Sequence, residues 1–223
     1  MNDSDRGPEE TGRCLATLYL DIDGVVSPVP DHRHATSYRF QPLLWPDRRG
    51  LTIGLRPTED EREISVPWSP SLITALDELR EEFRLRLVWA TSWLSGFPRD
   101  GIRVLTDEID GLRGGVEPEW PDVDDEDDEE LDEDAPPPFR PHPKLLLVLA
   151  DQEAIGGMPF IWIDDDGRPN YSDIGTDRGG IFGNVKRRTR GTPSLLIAPN
   201  RHRGITPAHI NGIREWLARL PAS

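Results

Sequence analysis

Cysteine is almost absent from this chain. Cys14 stands alone, so no internal disulfide can form, and the Cys/His spacing of a structural zinc site is missing. No apolar run approaches the ~18 residues of a membrane-spanning helix, so no membrane contact is expected. Residues 1–13, MNDSDRGPEETGR, have no hydrophobic signal core, and a cytoplasmic protein is the expectation. There is no GxxxxGK[ST] loop, no GxSxG elbow and no internal repeat. Those absences exclude P-loop nucleotide hydrolysis, α/β-hydrolase chemistry and solenoids. Lysine is scarce too: Lys144 and Lys186 stand against 24 arginines.

Acid, by contrast, is abundant and unevenly placed. Of the formal charge of -15, 11 acids fall in residues 122–134 with no base among them, which leaves -4 for everything else. Such a run, followed by Pro136, Pro137 and Pro138, is expected to be a solvated, disordered insert over about 121–138. It interrupts a domain without ending it. At 223 residues the chain suits one α/β domain, expected over 14–223 behind a disordered tail at 1–13.

The chain is organised around residues 18–26, LYLDIDGVV. Leu18, Tyr19 and Leu20 continue an apolar run from Leu15, as in a strand buried on both faces of a parallel sheet. The run stops at Asp21, and Asp23 follows after Ile22. In an extended chain residues i and i+2 share a side, so both acids are expected together at the carboxyl end of the strand, where open α/β sheets bind ligands. Paired carboxylates repel unless a cation sits between them or one holds a proton. A hard divalent ion such as Mg²⁺ takes oxygen ligands and shares its shell with phosphate, which suits phosphoryl transfer.

Further along, LTIGL (51–55) and REISV (62–66) alternate like a hairpin, within a flap at about 27–67. Ser69-Pro70 starts a helix whose face is Leu72, Ile73, Leu76, Leu79 and Phe83. LRLVWA (85–90) reads as a second buried strand ending in Thr91-Ser92-Trp93. Ile102, Leu105, Ile109 and Leu112, spaced 3, 4 and 3, predict another helix, with a short strand at 115–119. Pro143 opens a helix carrying Lys144, Leu145, Leu146, Val148 and Leu149. Residues 159–163 form a strand ending in Asp164-Asp165-Asp166, and Gly167, Gly175, Gly179, Gly180 and Gly183 predict a long loop. Lys186, Arg187, Arg188 and Arg190 are expected as a solvated basic segment, long enough to touch a polyanion. A strand at 194–198 and a helix capped by Thr206-Pro207, with Ile210, Ile213, Leu217 and Leu220 inward, close the chain. Trp45, Trp68, Trp93 and Trp162 are expected in the core where they lie in strands. His32 and His34, with no third ligand, suggest solvated loop residues.

In a parallel sheet with short crossovers, three polar strand ends meet: Asp21 with Asp23, Thr91 with Ser92, and Asp164 with Asp165. Thr91 and nearby amides suit phosphate oxygens, Lys144 suits their charge, and Asp164 and Asp165 suit a metal. DIDGVV, WATSW, Pro143-Lys144 and WIDDD, in that order, resemble the haloacid dehalogenase superfamily of phosphohydrolases. The resemblance implies a doubly wound, Rossmann-like parallel sheet with a small β-hairpin flap and no large cap domain. It implies Asp21 as the nucleophile that becomes an aspartyl-phosphate, and Asp23 as the acid that protonates the leaving group and then activates water. It further implies Thr91, Ser92 and Lys144 on the phosphoryl group. Mg²⁺ would be held by Asp21, the backbone carbonyl of Asp23 and Asp164, with Asp165 beside it. The short flap, WATSW, WIDDD and the closing helix are similar to the haloacid-dehalogenase-like domains associated with RNA repair proteins, although the acidic insert departs from them. An uncapped site suits a phosphate on a large molecule, such as a nucleic acid end. The rival expectation is a non-catalytic module that engages a partner through its basic or acidic segment. Sequence leaves the substrate and the oligomeric state open.

Overall fold

The computed structural model describes residues 15–29, 45–47, 49–55, 62–95, 101–121, 142–167, 180–189 and 191–221. The expected N-terminal tail at 1–13, His32 and His34, the acidic and proline-rich run at 122–138, Gly175, Gly179 and Arg190 lie outside the described residues.

In chain order, β1 (Thr17–Leu20) is followed by β2 (Arg49–Leu55), β3 (Arg62–Trp68), α1 (Pro70–Phe83) and β4 (Arg86–Trp89). Then come α2 (Gly101–Glu108), α3 (Pro143–Ala154), β5 (Phe160–Ile163), α4 (Gly180–Arg188), β6 (Ser194–Ile197) and α5 (Pro207–Leu217). Strands β4, β1, β5 and β6 lie in that order in one parallel sheet, while β2 and β3 pair antiparallel as the expected hairpin.

The period of two along each buried strand divides the core into two layers. Leu18 and Leu20, with Leu87, Trp89, Ile161 and Ile163, face α1 and α5. Tyr19, with Val88, Phe160 and Trp162, faces α3 and the Val185 side of α4. The chain leaves β1 for β4 with α1 on one face, then returns across β1 to β5 with α3 on the other. That reversal of direction places a crevice at the carboxyl end of β1.

The helix starts follow their chemistry. Ser69 Oγ accepts from Leu72 N ahead of Pro70, and Arg84 ends α1 in a left-handed conformation. Thr206 and His209 form a reciprocal capping box at α5.

Three expectations need correction. Helix α2 stops at Glu108, and Asp110 and Leu112 take φ of +51° and +56°, so Ile109 and Leu112 are buried from a turn rather than a helix. Their spacing recorded burial alone. At 115–119 only Val116 bridges, to Val88; the neighbouring Pro118 has no amide to extend a ladder. The glycine-rich stretch becomes helix α4 from Gly180 onward, because Ile181, Phe182 and Val185 pack on the second core layer and outweigh the poor propensity of Gly180 and Gly183. Phe182 stands edge-on to Trp162 at 5.2 Å and covers Gly167. Lys186, Arg187 and Arg188 are therefore its exposed last turn, where cations complement the helix dipole.

Candidate active site

The sheet ladder runs one residue past each strand and so fixes the acids side by side. Asp21 N donates to Ile163 O at 3.1 Å, Ala90 N to Leu20 O at 3.0 Å, and Asp164 N to Ile197 O at 3.1 Å. Asp21, Thr91 and Asp164 thus emerge from β1, β4 and β5 at one edge, and all three are buried. Lys144, the second residue of α3, reaches the same point from the adjoining face.

The Lys144 ammonium lies 2.7 Å from Asp21 Oδ2, 3.2 Å from Asp164 Oδ2 and 3.4 Å from Asp166 Oδ2. Asp21 also accepts from its neighbour Ile22 N at 2.7 Å, and the nearby Thr91 hydroxyl favours its charged form. Burial pushes the Asp21 carboxyl up, against the pull of Lys144. Burial pushes Asp164 well above the carboxylate range, and the charge of Asp21 adds to it. Asp165 is raised to about 6 by burial and by the charges of Asp166 and Asp21. Burial works against the Lys144 ammonium, yet Asp21, Asp164 and Asp166 together hold its pKa above the ordinary lysine value. One ammonium therefore serves three carboxyl groups, and burial with their mutual repulsion favours either protons or a further cation among them.

A divalent ion fits this imbalance. One oxygen from each of Asp21, Asp164 and Asp165 lies within 4.8 Å of the others, the only such group of three among the described residues. Asp164 Oδ2 is buried, and the Lys144 ammonium lies at ion-pair distance from it while donating its hydrogen bond to Oδ1 instead. A hard, oxygen-seeking cation would supply further positive charge and a ligand bond to that oxygen.

Asp23 sits differently from the expected paired carboxylate. It is exposed, and its Oδ2 accepts from Trp93 Nε1 at 2.9 Å. The strand ends at Leu20 and the chain turns at Ile22, so the two acids of DIDG enter different environments. The crowding of charge runs across strands, between Asp21 and Asp164. Gly24, at φ +72°, permits this turn; a Cβ there would lie 2.5 Å from Asp165 Cγ. Ser92 is exposed at the start of a 3₁₀ turn after Thr91, and Thr91 Oγ1 accepts from Trp93 N at 3.4 Å.

Three residues at the site carried no signal specific enough to place them. Trp93 stood among the aromatics, and its indole N–H is spent on Asp23. Asp166, the last of the three acids after β5, approaches Lys144, and its amide donates to Asp164 Oδ1 at 3.0 Å. Arg201, from the turn after β6, brings Nε within 3.8 Å of Asp165 Oδ2. Among the other tryptophans, Trp68 and Trp162 are buried, and half-buried Trp45 donates to Ile205 O.

No helix among the described residues is long and apolar enough to cross a membrane. No curated protein and no solved structure gives a significant match to the chain. One family model does match, over residues 17–210 of the 223, and its description is "HAD domain in Swiss Army Knife RNA repair proteins". That span runs from β1 into α5 and includes every residue of the acidic cluster. Phosphohydrolase-type chemistry in general, with a divalent metal, goes with such a domain, and the buried aspartates agree with it. With the parallel sheet, the flap hairpin and the matched span in agreement, the chain belongs to the family of HAD domains found in Swiss Army Knife RNA repair proteins.

Proposed function

We propose that the chain is a Mg²⁺-dependent phosphatase that hydrolyses a phosphomonoester through an aspartyl-phosphate on Asp21. Its proposed substrate is a phosphate on a large molecule, an RNA end above all. The observation that supports this most is the setting of Asp21. It is buried at the carboxyl end of β1, between the Lys144 ammonium, the Thr91 hydroxyl and the Ile22 amide, and beside Asp164 and Asp165.

In the first step an Asp21 oxygen bonds to phosphorus as the bond from phosphorus to the leaving oxygen breaks. Asp23, exposed at the mouth, gives that oxygen a proton. In the second step a water loses a proton to Asp23 and attacks phosphorus, and the bond to Asp21 breaks. Inorganic phosphate leaves and both aspartates return to their starting states. Lys144, Thr91 and Ser92 hold the phosphoryl oxygens throughout. Mg²⁺ on Asp21, Asp164, Asp165 and the backbone carbonyl of Asp23 would supply neutralising charge for the phosphoryl group. The β2–β3 hairpin is the one element described between β1 and α1, too small to enclose a metabolite, which favours a phosphate carried on a polymer.

The test is hydrolysis of p-nitrophenyl phosphate and phosphorylated oligonucleotides with Mg²⁺ or EDTA. Asp21→Asn should abolish turnover on every substrate. Asp23→Asn should lose ~10²- to 10⁴-fold on alkyl phosphates and less on p-nitrophenyl phosphate, whose leaving group needs little protonation. Phosphoenzyme trapped in Asp23→Asn and absent in Asp21→Asn would support the assignment. An active Asp21→Asn protein would refute it, and tight substrate binding without turnover would favour the non-catalytic module.

A further inference from the structure

Two basic clusters of the described chain could meet a polyanion, and the fold separates them. Lys186, Arg187 and Arg188 end α4, which begins beside the turn after β5 and runs back toward the start of β6. Phe160, the first residue of β5, donates its amide to Pro193 O, so the chain just beyond α4 lies at the amino edge of the sheet. The site lies at the carboxyl edge. The second cluster, Arg201, His202 and Arg203, follows β6 and therefore emerges at the site edge.

This turn is built onto the loop that carries the aspartates. Val29 N donates to Arg201 O at 2.8 Å, and Ile205 N donates to Val25 O at 3.0 Å. His202 Nδ1 lies 2.9 Å from Val29 O, and Asn200 Oδ1 accepts from His202 N. Gly204, at φ +68°, packs so closely on Val25 O that no side chain fits there. The turn is thus held at several points against residues 25–29, immediately after DIDG. Arg201 reaches Asp165 while its side chain stays 36% exposed, and Arg203 is exposed.

We propose that this turn is a backbone-phosphate subsite, in which Arg201 and Arg203 hold the phosphodiester next to the terminal phosphate of a single-stranded polynucleotide. The subsite rests on the phosphatase reading for its geometry, but it can be tested without turnover. Arginines on a turn whose backbone is held beside the Asp21 loop favour a chain whose negative charge continues past the terminal phosphate. Small phosphate esters offer it nothing to hold. His202 is committed to Val29 O and takes no part.

The experiment uses the full-length protein and a fluorescein-labelled, terminally phosphorylated oligoribonucleotide. Anisotropy is read in EDTA across a salt series. Arg203→Ala should weaken binding several-fold and reduce the slope of log K against log salt by roughly one unit, as expected for one lost phosphate contact. Arg201→Ala should act in the same sense. Lys186→Ala removes the same charge at the far edge and should change neither quantity. With Mg²⁺, Arg203→Ala should raise KM for the oligonucleotide more than KM for p-nitrophenyl phosphate. Equal losses in Arg203→Ala and Lys186→Ala would reduce the effect to net charge and overturn the subsite. So would a phosphopeptide of matched charge that binds as well as the oligonucleotide and responds equally to Arg203→Ala. If no phosphate ester is hydrolysed, the phosphatase assignment fails, while the anisotropy result still decides the subsite.

Discussion

Lys144→Met keeps most of the side-chain volume and removes the one ammonium that touches Asp21, Asp164 and Asp166. The Lys144 side chain is 5% exposed, Asp21 3% and Asp164 0%, so solvent screens little of the change. Breaking a buried ion pair by removing one partner costs about 3–5 kcal/mol, because the other charge is left uncompensated. For a domain of this size each kcal/mol moves Tm by ~2–4 °C, so the variant should melt roughly 6–20 °C below the wild type in EDTA. The sign of the pH dependence follows from the acids. With the ammonium gone, the folded-state pKa values of Asp21 and Asp164, already raised, rise further. An acid whose folded pKa lies above its unfolded value costs stability at high pH and ceases to cost it as pH falls and the proton returns. The deficit should therefore shrink from pH 8 to pH 5. On the proposed assignment Mg²⁺ should recover part of it, since the ion would supply charge at the same carboxylates. Circular dichroism melts of both proteins, with EDTA or Mg²⁺ at the two pH values, test this. A Tm within ~2 °C of wild type in EDTA at pH 8 would refute the claim that Lys144 balances the cluster.

Gly24→Ala places a Cβ against the Asp165 carboxylate at a φ of +72°, so stability should fall by ~1–3 kcal/mol and the affinity for Mg²⁺ with it. Urea unfolding and calorimetric titration with Mg²⁺ check both, and an unchanged pair of values would show that the Asp21 loop is not tightly packed on Asp165. Asp47 is hydrogen-bonded by the hydroxyls of Ser69 and Ser71 and by Ser71 N, which hold its carboxyl at about 2. A depressed folded-state pKa contributes stability above the unfolded value of ~3.9 that is lost as pH falls through about 2. Asp47→Asn should lower Tm at pH 6 and flatten the loss between pH 4 and pH 2; parallel acid profiles would disprove the contribution.

Much of this architecture was legible because one signal dominated each element. LYL, LVW and FIWI are continuous apolar runs that stop at polar residues, and burial on both faces leaves such runs little choice but the interior of a parallel sheet. Ser69-Pro70 and Thr206-Pro207 marked helix starts by local hydrogen-bond chemistry, which needs no tertiary information. Where tertiary packing decides, local signals misled. Gly180 and Gly183 argue against helix on propensity, yet the core accepts Phe182 and Val185 only from one. Arg201 meets Asp165 because β5 and β6 are neighbours, a fact of strand order that no spacing encodes. The relation of Asp21 to Asp23 was misjudged for a similar reason. The period-two rule holds inside a strand, but β1 ends at Leu20, and the turn beyond it is set by Gly24 and by the Asp165 carboxylate beneath.

The separation of those two aspartates bears directly on the chemistry. In the proposed mechanism the nucleophile needs a fixed position and a charge that is masked until substrate arrives, and burial beside Lys144 would provide both for Asp21. The proposed proton carrier needs contact with the leaving group and with water, and exposure would provide that for Asp23. Side by side in one pocket, as the DxD spacing alone suggests, they would perturb each other and neither environment would be available. The turn at Ile22 and Gly24 lets two residues only two positions apart take opposite surroundings. The indole of Trp93 fixes the exposed one by a single hydrogen bond. Asp164 and Asp165 come from a different strand end, that of β5, which the sheet ladder joins to β1. In the proposed mechanism the buried, ladder-held aspartate is the one that must meet phosphorus in a fixed position, and the solvent-open aspartate is the one that must exchange protons.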